Sequence, residues 1–226
     1  YFGFELAYDK TGSIISGGNY AGGQFNGNIA GTIWKTKGDG EKRKYDFTYD
    51  IADRLLMADF NQYSSGSFNK TAGIDYTVKM GNGIHSDSAY DYNGNILRMQ
   101  QWGLAGFEST QLDDLRYTYL TSSNKLKNVI DGQNNPLTNL GDFRSSQNYM
   151  TALGGAKTNS ASDYAYDDNG NLTKDLNKDI DDASYDGIEY NHLNLPSKIR
   201  VKNKGTIEYL YDALGNKLQK KIVETG

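Results

Sequence analysis

Four groups of residues have types and spacings that chemistry could use. The run Asp175-Leu176-Asn177-Lys178-Asp179-Ile180-Asp181-Asp182 sets side-chain oxygens at alternate positions, as the opening of a calcium loop does. However, Ile180 stands where such a loop needs glycine, and the twelfth position is Asp186 rather than a bidentate glutamate. The run therefore reads as a solvated acidic turn. His85 and His192 are the only histidines, and neither has a metal-ligand spacing to a second histidine or to a cysteine. Ser86 and Asp87 follow His85 directly, but neighbours in an extended chain point to opposite faces and form no triad. Gly17-Gly18 and Gly22-Gly23 lack the following Lys-Ser or Lys-Thr of a phosphate cradle and read as loop glycines. The basic run Lys42-Arg43-Lys44 is short and reads as a solvated turn before a strand. From the residues alone, no catalytic group, no cofactor and no metal site is assigned.

The most informative stretch is Tyr164 to Thr173, Tyr-Ala-Tyr-Asp-Asp-Asn-Gly-Asn-Leu-Thr. Tyr164 and Tyr166 alternate as strand residues do, Asn169-Gly170 tolerates positive φ in a tight turn, and Leu172 opens a return strand. Its pattern of tyrosine, acid, two residues, glycine, polar and apolar recurs along the chain, which makes internal repetition the first fact about the fold. Tyr8, Asp9 and Gly12 fit throughout, as do Tyr90, Asp91 and Gly94, and Tyr166, Asp167 and Gly170. Looser copies begin at Tyr49-Asp50, with Asp53 in place of glycine, and at Tyr190, with Asn194 there. Tyr119 loses the acid and gains a residue before Asn124-Lys125-Leu126, while Tyr211, Asp212 and Gly215 delay the leucine to Leu218. Asn26-Gly27-Asn28-Ile29 repeats the turn half alone.

The elements that carry these turns are strands. Tyr is abundant (18), Gly more so (26) and Pro scarce (2), which suits short strands joined by glycine turns. Alternation in Ile29 to Trp34, Ile74 to Val78 and Thr206 to Tyr211 agrees. Residues 131–163, rich in Asn, Gly, Ser and Thr, read as a loop-like surface insertion. No helix is expected: Asp113 to Leu115 and Tyr149 to Leu153 are too short. The expectation is one all-β array over residues 1–226, with antiparallel hairpins forming a curved or spiralling sheet.

Composition narrows the function. A net charge of −4 argues against a nucleic-acid surface. No apolar run of bilayer length is present. Zero cysteines exclude disulfides and thiolate metal sites. The chain opens at Tyr1-Phe2-Gly3-Phe4 in strand-like sequence without a signal-peptide pattern, and so reads as a fragment or a processed chain.

The Tyr-Asp-x-x-Gly-Asn-Leu and Tyr-Asp-x-x-x-Arg-Leu repeats resemble the YD repeats of the RHS (rearrangement hotspot) proteins, here of the kind found in Bacteroidetes surface proteins, over essentially the whole chain. The resemblance implies a strip of hairpins that spirals into a hollow shell, in secreted or cell-surface proteins, around a variable C-terminal toxin or effector domain. Its partners would be the rest of its own polypeptide and that enclosed domain. The family's self-cleavage site lies near an Asp-Pro motif; this chain has no Asp-Pro pair, so that activity is not carried over. The alternative reading is a carbohydrate-binding adhesin. In it Tyr117/Tyr119, Tyr164/Tyr166 and Tyr209/Tyr211 would line a surface for cell-surface glycans.

Overall fold

The computed structural model describes residues 1–15, 18–133, 142–181 and 187–225. The fold is all-β: among the described residues, antiparallel strands dominate, with two short α-helices and a 3-10 turn at Leu176–Lys178. The chain divides into two compact units, Tyr1–Arg116 with Asp131–Phe143, and Tyr117–Ile130 with Arg144–Gly226.

In the first unit the strands are β1 (Phe2–Ala7), β2 (Gly31–Thr36), β3 (Lys42–Tyr49), β4 (Leu55–Ser64), β5 (Ser67–Asn69), β6 (Val78–Met80), β7 (Arg98–Ala105) and most of β8 (Glu108–Tyr119). They pair in chain order, with β5 set aside on β4. Along β4 every second residue is buried from Leu56 to Gln62, the period-two pattern of a strand with one face packed. Ile33 and Phe60 are essentially inaccessible. Trp34, Tyr45, Phe60 and Tyr76 form a chain of rings with centroids 5.2–5.4 Å apart between Trp34 and Tyr45, Tyr45 and Phe60, and Phe60 and Tyr76. The Lys42-Arg43-Lys44 run is not a solvated turn but the start of β3. Lys44 is buried because Asp46, 2.7 Å away, and the Asn19 carbonyl satisfy its ammonium. A single turn of helix, α1 (Ser86–Ala89), precedes the Tyr90 turn.

The second unit holds the end of β8, most of β9 (Leu126–Asp131), α2 (Gln147–Leu153), the hairpin of β10 (Tyr164–Tyr166) and β11 (Leu172–Asp175), and the four-stranded sheet β12 (Ile188–Tyr190), β13 (Pro196–Val201), β14 (Gly205–Tyr211) and β15 (Lys217–Glu224). Helix α2 corrects the expectation of no helix. The Ser146 hydroxyl accepts from Tyr149 N at 3.1 Å and Gly154 closes the last turn at φ 68°, so two local caps stabilise a short segment. The expected insertion is thus partly helical, and its residues 134–141 lie outside the described part.

Candidate functional site

The repeated turns form the most regular polar arrangement in each unit. At Tyr166-Asp167-Asp168-Asn169-Gly170-Asn171-Leu172 the Gly170 N–H donates to the Asp167 carbonyl at 3.0 Å and the Asp167 N–H to the Asn171 carbonyl at 2.9 Å. Gly170 has φ 87° and the ladder shifts register at Tyr166. This is a type I turn closed by a left-handed residue and a bulge. Only the fifth position is left-handed; Asn169 is not, contrary to the two-residue turn expected from the sequence. The same bonds recur at Asp50, Asp91, Asn191 and Asp212, with Asp53, Gly94, Asn194 and Gly215 left-handed.

The second-position side chain clamps each turn. Asp91 Oδ1 accepts from Asn93 N and Asn95 N, and its Oδ2 from Asn95 Nδ2, all at 2.8–2.9 Å. Asp167 and Asp212 repeat this with Asn171 and Asn216. Asp50 replaces the amide with the Arg54 guanidinium at 2.7 Å. The Asn amide, with the turn N–H groups behind it, holds the carboxyls of Asp91, Asp167 and Asp212 below the usual carboxylate range.

The tyrosines link one turn to the next. Tyr49 Oη donates to the Ile29 carbonyl at 2.9 Å, and Tyr90 Oη to Leu55 at 2.6 Å. In the second unit Tyr166 Oη donates to Leu126 at 3.0 Å, Tyr190 Oη to Leu172 at 2.8 Å and Tyr211 Oη to Pro196 at 2.9 Å. Four acceptors, Ile29, Leu55, Leu172 and Pro196, are the seventh position of the preceding turn, and Leu126 is the eighth of the Tyr119 turn, which is one residue longer. Burial drives the phenols of Tyr49, Tyr90, Tyr166 and Tyr190 above their ordinary value.

Side chains that directly precede an acceptor residue complete the stacking. Arg54 lies 4.4 Å from the Tyr90 ring centroid and Lys125 lies 5.4 Å from that of Tyr166. Where the fifth position is not glycine, its side chain is used: Asp53 accepts from the amides of Asn26 and Asn28, and Asn194 from those of Asn169 and Asn171. The departures from glycine at Asp53 and Asn194 are therefore specific contacts to the preceding turn.

One copy that fits the sequence template does not form this turn. Gly12 has no left-handed φ and instead bridges to Asn19, while the Tyr8 carbonyl accepts from Gln24 N and the Tyr8 ring is 43 % exposed. Tyr119 keeps a longer turn through Leu120 and Lys125, with Ser123 N donating to the Leu120 carbonyl and Ser122, the fourth position, left-handed.

The six tyrosines considered for glycans, Tyr117, Tyr119, Tyr164, Tyr166, Tyr209 and Tyr211, are all half-buried. Tyr209 and Tyr211 lie 6.3 Å apart, with Lys217 Nζ 4.3 Å from the Tyr209 ring. His85 is exposed before α1, and His192 is exposed in the Asn191 turn. Gly18 and Gly23 sit where a Cβ would strike Ile33 and the Asp9 carbonyl, so close packing requires them; Gly17 lies outside the described residues. In the acidic run, Asp175 caps Asn177 N, Asp179 accepts from Asn148, and Asp181 pairs with Lys174 at 2.7 Å. These three carboxylates serve separate partners, and Asp182 and Asp186 lie outside the described residues.

Two polar clusters were not singled out from the sequence. In the first unit, carboxylate oxygens of Asp113, Asp131 and Asp142 lie within 4.8 Å of one another, a set able to hold a cation. Burial first, then the charges of Asp131 and Asp142, raise the Asp113 pKa, against a bond of 2.8 Å from Phe143 N. In the second unit, Asp163 accepts from Val129 N, Lys157 Nζ, Asn177 Nδ2 and Tyr149 Oη at 2.9–3.0 Å. Lys157 donates in addition to the Val129 carbonyl and Asn177 Oδ1, and both charged side chains are within 5 % of complete burial. This network fastens the end of the expected surface insertion to β9. Apolar context was the only signal, as in Leu112-Asp113-Asp114-Leu115.

No protein-family model matches the chain, and a search of curated proteins finds no match.

Proposed function

We propose that this chain is a non-catalytic structural repeat segment of the RHS type, part of a β-shell in a secreted or cell-surface protein that encloses or displays a C-terminal toxin or effector domain. The observation that carries this reading is the tyrosine ladder: five hydroxyls, each bonded to a carbonyl on the far side of the preceding turn. Such bonds fasten hairpin to hairpin along an array rather than preparing a reactive centre. The mechanism is steric, with paired backbone and saturated turns denying proteases the flexible segments they cut.

The test is limited proteolysis. With 24 Lys and Arg residues the chain is rich in trypsin sites, and a wall-forming segment resists the enzyme under native conditions. The double variant Tyr166→Phe, Tyr190→Phe should be cut several-fold faster while keeping its far-ultraviolet spectrum. Equal resistance and equal melting in parent and variant would overturn the reading. A glycan array serves the adhesin alternative: saturable binding removed by Tyr209→Ala without loss of folding would replace the wall by a sugar-binding surface.

A further inference from the structure

The buried cluster of the second unit holds an amine, a side-chain amide and a carboxylate in mutual contact, none of which the tyrosine ladder uses. Lys157 Nζ donates to Asn177 Oδ1 at 2.6 Å and to Asp163 Oδ2 at 3.0 Å. The same Asp163 oxygen accepts from Asn177 Nδ2 at 3.0 Å, so one carboxylate touches both the amine and the amide nitrogen. We propose that Lys157 and Asn177 join in an isopeptide bond, formed by the chain on itself with Asp163 as general acid and base and ammonia as the leaving group.

Folding brings these groups together from separate elements. Asn177 lies in the 3-10 turn after β11, where Asp175 Oδ1 accepts from its backbone N–H at 3.0 Å. Lys157 follows α2, and the Val129 carbonyl of β9 fixes its ammonium at 2.9 Å. Asp163 precedes β10 and is held by Val129 N and Tyr149 Oη, each at 2.9 Å. Asn177 is as inaccessible as the ion pair, which keeps water from the reacting atoms. With Nζ 2.6 Å from Oδ1 and a C=O bond of about 1.2 Å, the amine stands roughly 3–4 Å from Cγ, close to the near-attack range. Ser145 Oγ donates to Asn177 Oδ1 at 2.7 Å, the distance and sense of an oxyanion donor. Nucleophile, proton carrier, leaving group and oxyanion donor are thus all present in one contact set.

The step balances without an oxidant or a cofactor. Asp163 Oδ2 takes a proton from the Lys157 ammonium, and the freed lone pair of Nζ bonds to Asn177 Cγ. The carbonyl electron pair moves onto Oδ1, where the Ser145 hydroxyl meets it. Asp163 gives its proton to Nδ2 and takes a second one from Nζ, and the returning electron pair breaks the Cγ–Nδ2 bond. One of the three Nζ hydrogens stays in the new secondary amide; the other two leave with the two of Nδ2 as an ammonium ion. The reaction runs once per chain, so it is a self-modification and not turnover. It closes a covalent loop between positions 157 and 177 in a chain with no cysteine for a disulfide. It rests on this cluster and not on the shell reading, which the proteolysis experiment decides separately.

Mass spectrometry of the full chain, folded and then denatured for measurement, tests this. The parent should weigh less than its sequence by one ammonia. Its tryptic digest should contain residues 145–174, uncut at Lys157, joined to residues 175–178. Lys157→Arg and Asn177→Ala should each keep the full mass of their sequences. Asp163→Asn, shown to be folded by its far-ultraviolet spectrum, should stay unlinked, since its amide accepts hydrogen bonds but carries no proton between the two nitrogens. Ser145→Ala should leave a mixture whose linked share grows on incubation about a hundredfold more slowly than in the parent, the scale of one oxyanion donor. A folded parent of full sequence mass, an ammonia loss that maps to any other pair, or a folded Asp163→Asn chain that links as the parent does would each overturn the proposal. The parent's own mass decides even where a variant fails to fold.

Discussion

A tyrosine hydroxyl here does the work that a sequence pattern attributes to a ring. Tyr190 Oη satisfies the Leu172 carbonyl at 2.8 Å, so Tyr190→Phe leaves that acceptor without its donor. Chemical denaturation should show a loss of about 1 kcal/mol with an unchanged m-value. Asn194 has two tasks, holding φ 56° and accepting from the amides of Asn169 and Asn171. Asn194→Ala should therefore cost about 1–2 kcal/mol by the same measurement, since alanine neither tolerates the left-handed region nor accepts a side-chain bond. Asn194→Gly should recover the backbone part alone. These residues look like lapses from a glycine consensus until the neighbouring turn is seen.

Each turn is an element with its own acid response. The carboxyls of Asp91, Asp167 and Asp212 are held low, first by the amides of Asn95, Asn171 and Asn216. A depressed carboxyl contributes stability that is present above its unfolded value near 3.9 and lost as pH falls through the folded value. Melting temperature should thus hold down to about pH 4 and then decline. Asp167→Asn, whose amide oxygen still accepts but carries no charge, should flatten part of that decline. The insertion is held differently, by the buried Lys157 and Asp163 pair. Asp163→Ala strands a buried ammonium, and denaturation should register about 3–5 kcal/mol, far more than any single turn bond.

The two units draw on different stabilising terms. The first buries apolar clusters around Ala7, Tyr20, Ala30 and Ile33 and around Leu56, Ala89 and Tyr90. In the second, Val129 and Ile188 are the buried apolar residues among those described, and all of β15 is exposed. Hydrogen exchange should accordingly be slowest in β3 and β4 and fastest in β15. Across the described residues, no helix is long and apolar enough to cross a membrane.

The all-β character and the turns at Tyr49, Tyr90, Tyr166, Tyr190 and Tyr211 were legible in the sequence, because their bonds span only two to four residues. An aspartate reaching its own turn N–H groups needs no knowledge of the rest of the chain. The Tyr8 copy marks the limit: it has the residues, yet Gly12 pairs with Asn19 and the turn does not form. Tertiary structure alone decided which carbonyl each tyrosine reaches, that Asp53 and Asn194 serve a neighbouring turn, and that Asp113, Asp131 and Asp142 converge. It also turned a polar insertion into the home of a buried ion pair. Those relations join residues 6 to 40 positions apart, and their distances follow from strand order and register, which local chemistry does not specify.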